Sequence, residues 1–130
     1  MSHGAKKYKR TSITTASKPQ LLLMLYEAAI KNVRLAKKNI REKNISAKGQ
    51  SIGKTHDIIN ELISALDFNV GGQVATDLER LYNYVTERLI KANLENSIED
   101  LDSIETVLTT LLEGWREAVV KYNEEQGIVG

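Results

Sequence analysis

Cysteine is absent from the 130 residues. That excludes disulfides, thiolate metal sites and cysteine nucleophiles, and it is compatible with a reducing compartment. Histidine occurs only as His3 and His56, and neither has Glu three residues before it. The Glu-x-x-His pairs of bundle di-metal centres are therefore missing, and no cofactor or metal is expected. Proline, phenylalanine and tryptophan occur once each. With Leu, Ile, Ala, Lys, Glu and Asn prominent, the composition leans helical. No run of about eighteen apolar residues occurs, so no membrane insertion is expected. The basic stretch from Met1 to Ser12 has no apolar segment behind it and no small-residue cleavage site, so it does not read as a secretory signal. The chain is expected to be soluble and cytoplasmic. Residues 70–78 hold two glycines but lack the phosphate-loop spacing and its lysine. No Ser/His/Asp grouping or paired carboxylates stand out, and an enzyme is not expected.

What is present is charge, sharply segregated. Residues 1–54 carry 13 Lys and Arg against 2 Asp and Glu, while residues 55–130 carry 5 against 15. A basic half is one signature of nucleic-acid binding. It is equally the signature of basic early helices packed beside acidic later ones, within about one Debye length, roughly 8 Å, of each other. The second reading is preferred.

Apolar residues recur at helical spacing in four stretches. Ser17-Lys18-Pro19-Gln20 reads as a helix start, with Ser as N-cap and Pro in the first turn. The helix it opens runs to about Lys43 with the stripe Leu22, Leu25, Tyr26, Ala29, Val33, Ala36 and Ile40. Lys31, Arg34, Lys37, Lys38, Arg41 and Lys43 form a basic face expected to be solvated. After a connection at 44–47, a second helix runs to Leu66 with Ile52, Ile59, Ile63 and Leu66 on its stripe. His56 falls on that stripe and is expected to be partly buried and hydrogen-bonded. Asp67 to Gln73 reads as a loop whose Gly71-Gly72 pair permits a positive φ and a reversal. The third helix follows to Asn93, its stripe being Val74, Leu78, Leu81, Tyr82, Val85, Leu89 and Ala92. The fourth holds Leu101, Ile104, Leu108, Leu111, Leu112, Trp115, Ala118, Val119 and Tyr122. Glu99, Asp100, Asp102 and Glu105 near its start suit the positive end of the helix dipole. The expected fold is all-α, an antiparallel up-down-up-down four-helix bundle with a mobile N-terminal arm. The chain reads as one domain, 1–130, divided into an arm at 1–16, a bundle at 17–122 and a frayed tail at 123–130.

A bundle helix needs one buried stripe. Leu21, Leu23, Met24, Ile30, Leu35, Tyr84, Ile90 and Val107 are surplus to that need, and surplus apolar surface marks a partner site. Composition thus leads to a helical binding module.

Six segments in order sharpen this. Tyr8, Thr15-Ala16-Ser17, residues 21–30 (LLLMLYEAAI), 66–72 (LDFNVGG), 77–93 (DLERLYNYVTERLIKAN) and 111–119 (LLEGWREAV) together resemble the flagellin export chaperone family, FliS. The likeness runs from about Tyr8 to Val119. It departs where Lys18 separates Ser17 from Pro19, where Tyr26-Glu27-Ala28 stands for Tyr-Asp-Gly, and where Leu112-Glu113-Gly114 precedes Trp115 in place of Arg-Glu-Ala.

The resemblance implies a cytoplasmic four-helix chaperone. It would bind the disordered C-terminal segment of flagellin in apolar grooves, prevent premature polymerisation and keep the subunit competent for flagellar type III export. It implies that an arm bearing Tyr8, with Ile13, occupies part of the groove in the free protein. The groove is expected to involve Tyr8, Ile13, Leu23, Met24, Tyr84 and Ile90. Tyr26, Leu81, Tyr82 and Trp115 either line it or sit in the core beneath. The flagellar export gate, a co-chaperone and a second copy of the chain are further partners the family admits, without nucleic acid. The rival readings are a basic nucleic-acid-binding bundle and a self-associating structural bundle.

Overall fold

The computed structural model describes residues 18–127. Four helices make up almost all of it: α1 (Lys18–Arg41), α2 (Ile45–Ser64), α3 (Phe68–Glu95) and α4 (Ile98–Glu125). Links of three, three and two residues join them. Links that short force neighbours to run antiparallel. Each helix packs on the next, and α1 closes the ring against α4. The expected all-α four-helix bundle is what forms, and among the described residues there is no strand.

The boundaries follow from side chains that satisfy free backbone N–H groups at helix starts. Asn44 accepts from Ala47 N, Asp67 from Asn69 N and Val70 N, and Ser97 from Asp100 N. The Asp67 cap corrects the expectation of a loop over 67–73. It starts α3 at Phe68, and the positive φ foreseen for the double glycine becomes a kink inside the helix, with Gly72 at φ 52°, ψ −123°. The reversal itself is made by 65–67. At its other end α3 closes on Asn96 in the left-handed region, φ 52°. Likewise α2 begins at Ile45, ahead of expectation, because Asn44 caps it, and α4 continues through Glu125 into the stretch expected to fray. Ser17, the expected cap of α1, lies outside the described residues.

The core draws on all four stripes. Tyr26, Val33, Ala36, Ile59, Val85, Ala92, Leu101, Ile104 and Leu108 have 2% exposed surface or less. Each buried aliphatic side chain of this size contributes about 1.5–3 kcal/mol of hydrophobic stabilisation. Ile30, expected to be surplus, is buried, whereas Val74 and Leu81, expected on the buried stripe, are exposed. On α3 the core face runs through Ala75, Leu78, Tyr82, Val85, Leu89 and Ala92. Val74 and Leu81 fall to one side of that face. His56 is half-buried with Asn60 Nδ2 at 3.3 Å from its Nδ1, as expected.

One buried lysine ties two helices together. Lys48, 5% exposed in the first turns of α2, donates from Nζ to the Asn93 carbonyl at 2.9 Å and to Asn96 Oδ1 at 2.6 Å. It thereby places positive charge on the carbonyl end of α3, where the helix dipole favours it.

The glycines give a paired prediction. A Cβ at either Gly49 or Gly72 would meet nothing within 4 Å, but only Gly72 has a positive φ. Gly49→Ala is expected to stabilise the bundle by about 0.5–1 kcal/mol, and Gly72→Ala to destabilise it by about 1–3 kcal/mol. Urea denaturation of the two variants checks both signs.

Candidate functional site

Three apolar depressions gather at one end of the bundle, where α1 and α3 begin and α2 and α4 finish. The one lined most completely by apolar side chains is a cleft of about 260 Å³ formed by Leu22 of α1, Leu62 and Leu66 of α2, Val70, Val74, Leu78 and Tyr82 of α3 and Trp115 of α4. Leu22, Leu62 and Ala65 also line a groove of about 810 Å³ between α1 and α2, together with Leu21 and Leu25. On the other side of α1, Leu23 meets Val119 and Val120 of α4 in a third groove of about 460 Å³. Phe68, Val70, Val74, Val120 and Tyr122 leave further apolar surface exposed at this end, Val70 being 86% exposed. The Gly72 kink accounts for Val70. It breaks the helical register one turn into α3 and leaves that turn outside the core.

The cleft has an aromatic floor. The Tyr26 and Tyr82 rings lie 6.5 Å apart at 50°, and their hydroxyls hydrogen-bond to each other. Burial pushes the pKa of both phenols above the ordinary value. On Tyr26 the neighbouring Tyr82 hydroxyl and Trp115 indole offset part of that rise. Trp115 Nε1 itself is buried without a hydrogen bond of full geometry.

The residues singled out from the sequence divide. Leu23, Tyr82 and Trp115 are brought to the open end. Tyr26 has no exposed surface and supports Tyr82 from within the core. Met24 on α1 and Leu81 on α3 are exposed. Tyr84 is half-buried with the Arg88 guanidinium 5.1 Å above its ring. Ile90 is exposed but belongs to the far half of α3, away from the grooves. Tyr8 and Ile13 lie outside the described residues. Sequence reasoning missed Leu22, Leu66 and Val70 as lining. The first two sit at stripe positions, and Val70 was assigned to a loop. The i, i+4 spacing of Val70 and Val74 running on to Leu78 was the available signal.

The charged side chains perform no chemistry at this site. Lys37, expected on a solvated face, reaches Asp102 at 2.8 Å and Glu105 at 2.5 Å, while Arg34 reaches Glu105 at 3.0 Å. Asp102 raises the Lys37 value most, then Glu105. Burial pushes Glu105 up, and Lys37 with Arg34 overcomes it and holds the carboxyl below its ordinary value. Asp100, 2% exposed, pairs with Arg88 at 2.6 Å, has Lys91 at 3.9 Å, and donates its backbone N–H to Ser97 Oγ at 3.1 Å. Two of the four acidic residues ascribed to the helix dipole, Asp102 and Glu105, thus serve as ion-pair partners of α1. Among the described residues, no three His, Cys, Asp or Glu side chains converge to hold a metal, and no helix is long and apolar enough to cross a membrane.

Residues 1–122 match the model of the family described as "Flagellar protein FliS". The chain is 36% identical over 110 residues to the flagellar secretion chaperone FliS of Campylobacter jejuni, covering 85% of this chain and 86% of the relative. It is 34% identical over 119 residues to that of Salmonella typhimurium, covering 88% of each. To that of Bacillus subtilis it is 30% identical over 112 residues, covering 86% and 83%.

Arg88, and after it Ser97, hold the Asp100 carboxyl below its ordinary value. Its stabilising effect is complete above the unfolded value of about 4 and is lost as pH falls through the lower folded value. Denaturation series from pH 6 to pH 2 should therefore show a shallower acid loss in Asp100→Asn than in the parent chain.

Proposed function

Since the chain belongs to the flagellar protein FliS family, we propose that it holds the disordered C-terminal segment of flagellin in the apolar grooves at the open end of its bundle. The family is one of flagellar secretion chaperones and not of enzymes. The observation that carries the finer reading is the convergence of three apolar depressions on one end, beyond what a closed core needs. A disordered segment folding as helices against such surface loses conformational freedom and offsets that loss by the apolar area it covers. Covered in this way, flagellin would neither polymerise early nor fold into a shape that resists export. Contacts with the client are assigned to Leu23, Met24, Leu81, Tyr82 and Trp115, with Tyr84 and Ile90 extending them along α3. Tyr8 and Ile13 form an arm that covers part of the grooves until the client arrives. The work is done in the cytoplasm, with the export gate and a co-chaperone as later partners. A nucleic-acid role is disfavoured because Arg34 and Lys37, central to the basic face, are already paired with Asp102 and Glu105.

Calorimetric titration with a peptide of the flagellin C-terminal segment, at low and high salt, tests the reading. Binding with a large negative heat-capacity change and little salt dependence is expected. No binding by the folded protein would refute it. In the same titration Tyr8→Ala should change client affinity while leaving the thermal midpoint within a few degrees of the parent's; a large drop in that midpoint would place Tyr8 in the core.

A further inference from the structure

The aromatic floor of the cleft has more donors than its own oxygens engage. Tyr26 and Tyr82 bring one O–H each, and Trp115 brings one N–H. The hydroxyls make a single bond with each other, and neither makes another among the described residues. Whichever tyrosine donates in that bond, the other keeps a proton with no acceptor. The indole N–H beside them also lacks a full hydrogen bond. A buried donor without an acceptor is costly, and native interiors seldom tolerate one. Tyr82 and Trp115 line the cleft, and Tyr26 does not. Of the two phenols, only Tyr82 borders the cleft.

We propose that the bound client supplies the missing acceptor, and that Tyr82 is the residue that reads it. This rests on the cleft being part of the client site. The fitting group is a carbonyl of the client chain, of the kind a helix leaves unpaired in its last turn, seated among Leu22, Leu66 and Val74. Apolar burial at the cleft sets how tightly a segment is held. The Tyr82 bond sets which part of it comes to rest there, because only a position with a free carbonyl satisfies the floor. Tyr82 is in this sense a register residue for a client that is otherwise held by non-directional contacts.

Tyr82→Phe and Tyr26→Phe separate this role from a structural one. Both delete the same inter-tyrosine bond and both keep the ring, so an effect of packing or stability is shared. Titrated with the flagellin C-terminal peptide, Tyr82→Phe is expected to bind about 5- to 10-fold more weakly, the worth of one hydrogen bond. Tyr26→Phe is expected to stay within about twofold of the parent. Equal losses in the two variants would overturn the proposal. So would no loss in either, which would assign the acceptor to a trapped water. A parent chain that fails to bind the peptide would count against the chaperone reading instead. A further readout needs no variant. Trp115 is the only tryptophan, and its indole N–H resonance should shift when peptide is added, whereas an unmoved resonance overturns the proposal.

Discussion

Burial of four apolar stripes against one another is the constraint on which the rest of this molecule depends. Val33, Ile59, Val85 and Leu108, one from each helix, have no exposed surface. Interiors this closed tolerate little change of volume. Side chains lying off those stripes, such as Val74 and Leu81, consequently have no place in the core and remain on the outside. The grooves are thus a by-product of core closure in helices that carry more apolar residues than one core can take.

The polar cross-links are distributed unevenly, and that unevenness makes one end of the bundle firm. Lys48 joins the start of α2 to the end of α3. Arg88 joins α3 to the buried Asp100 at the start of α4, and Lys37 joins α1 to Asp102 and Glu105. All of these lie in the half of the bundle that holds the 42–44 and 96–97 links. Toward the grooved end Arg116 of α4 pairs with Glu27 of α1 at 3.4 Å, and both side chains are half exposed. Exposed pairs of that kind contribute about 0–1 kcal/mol. The helix ends at the grooves are thus held mainly by apolar contact, and the buried polar cross-links sit at the opposite end.

Most of the fold was legible in the sequence because helical periodicity and punctuation agreed. The stripe from Leu101 to Leu112 and the short polar links left no other arrangement. What was not legible required knowing which stripe position wins when two adjacent ones are apolar. Ala75 turns inward and Val74 outward because the Gly72 kink rotates the start of α3, and a kink angle is not written in spacing. The start of α3 was hidden for a related reason. Asp67 is as common in turns as at caps, and only its bonds to Asn69 N and Val70 N distinguish the two. At the site, Trp115 and Tyr82 were recognisable as candidates, but their meeting with Leu22 and Leu66 depends on how four helix ends converge. That is a tertiary fact.

The charge segregation has a consequence for how the molecule comes into being. Helices α1 and α2 together hold eight Lys and Arg against three Asp and Glu, and α3 and α4 hold five against twelve. A ribosome delivers the first hairpin before the second. For that interval the nascent chain is a cation with half a core, its Lys37 and Lys48 without the groups that later receive them. When the acidic hairpin arrives, it is attracted over a distance of about a Debye length, roughly 8 Å, before any apolar side chain can touch. The same docking step then cancels the charge and seals the interior, so electrostatic neutrality and the native core are reached in one event.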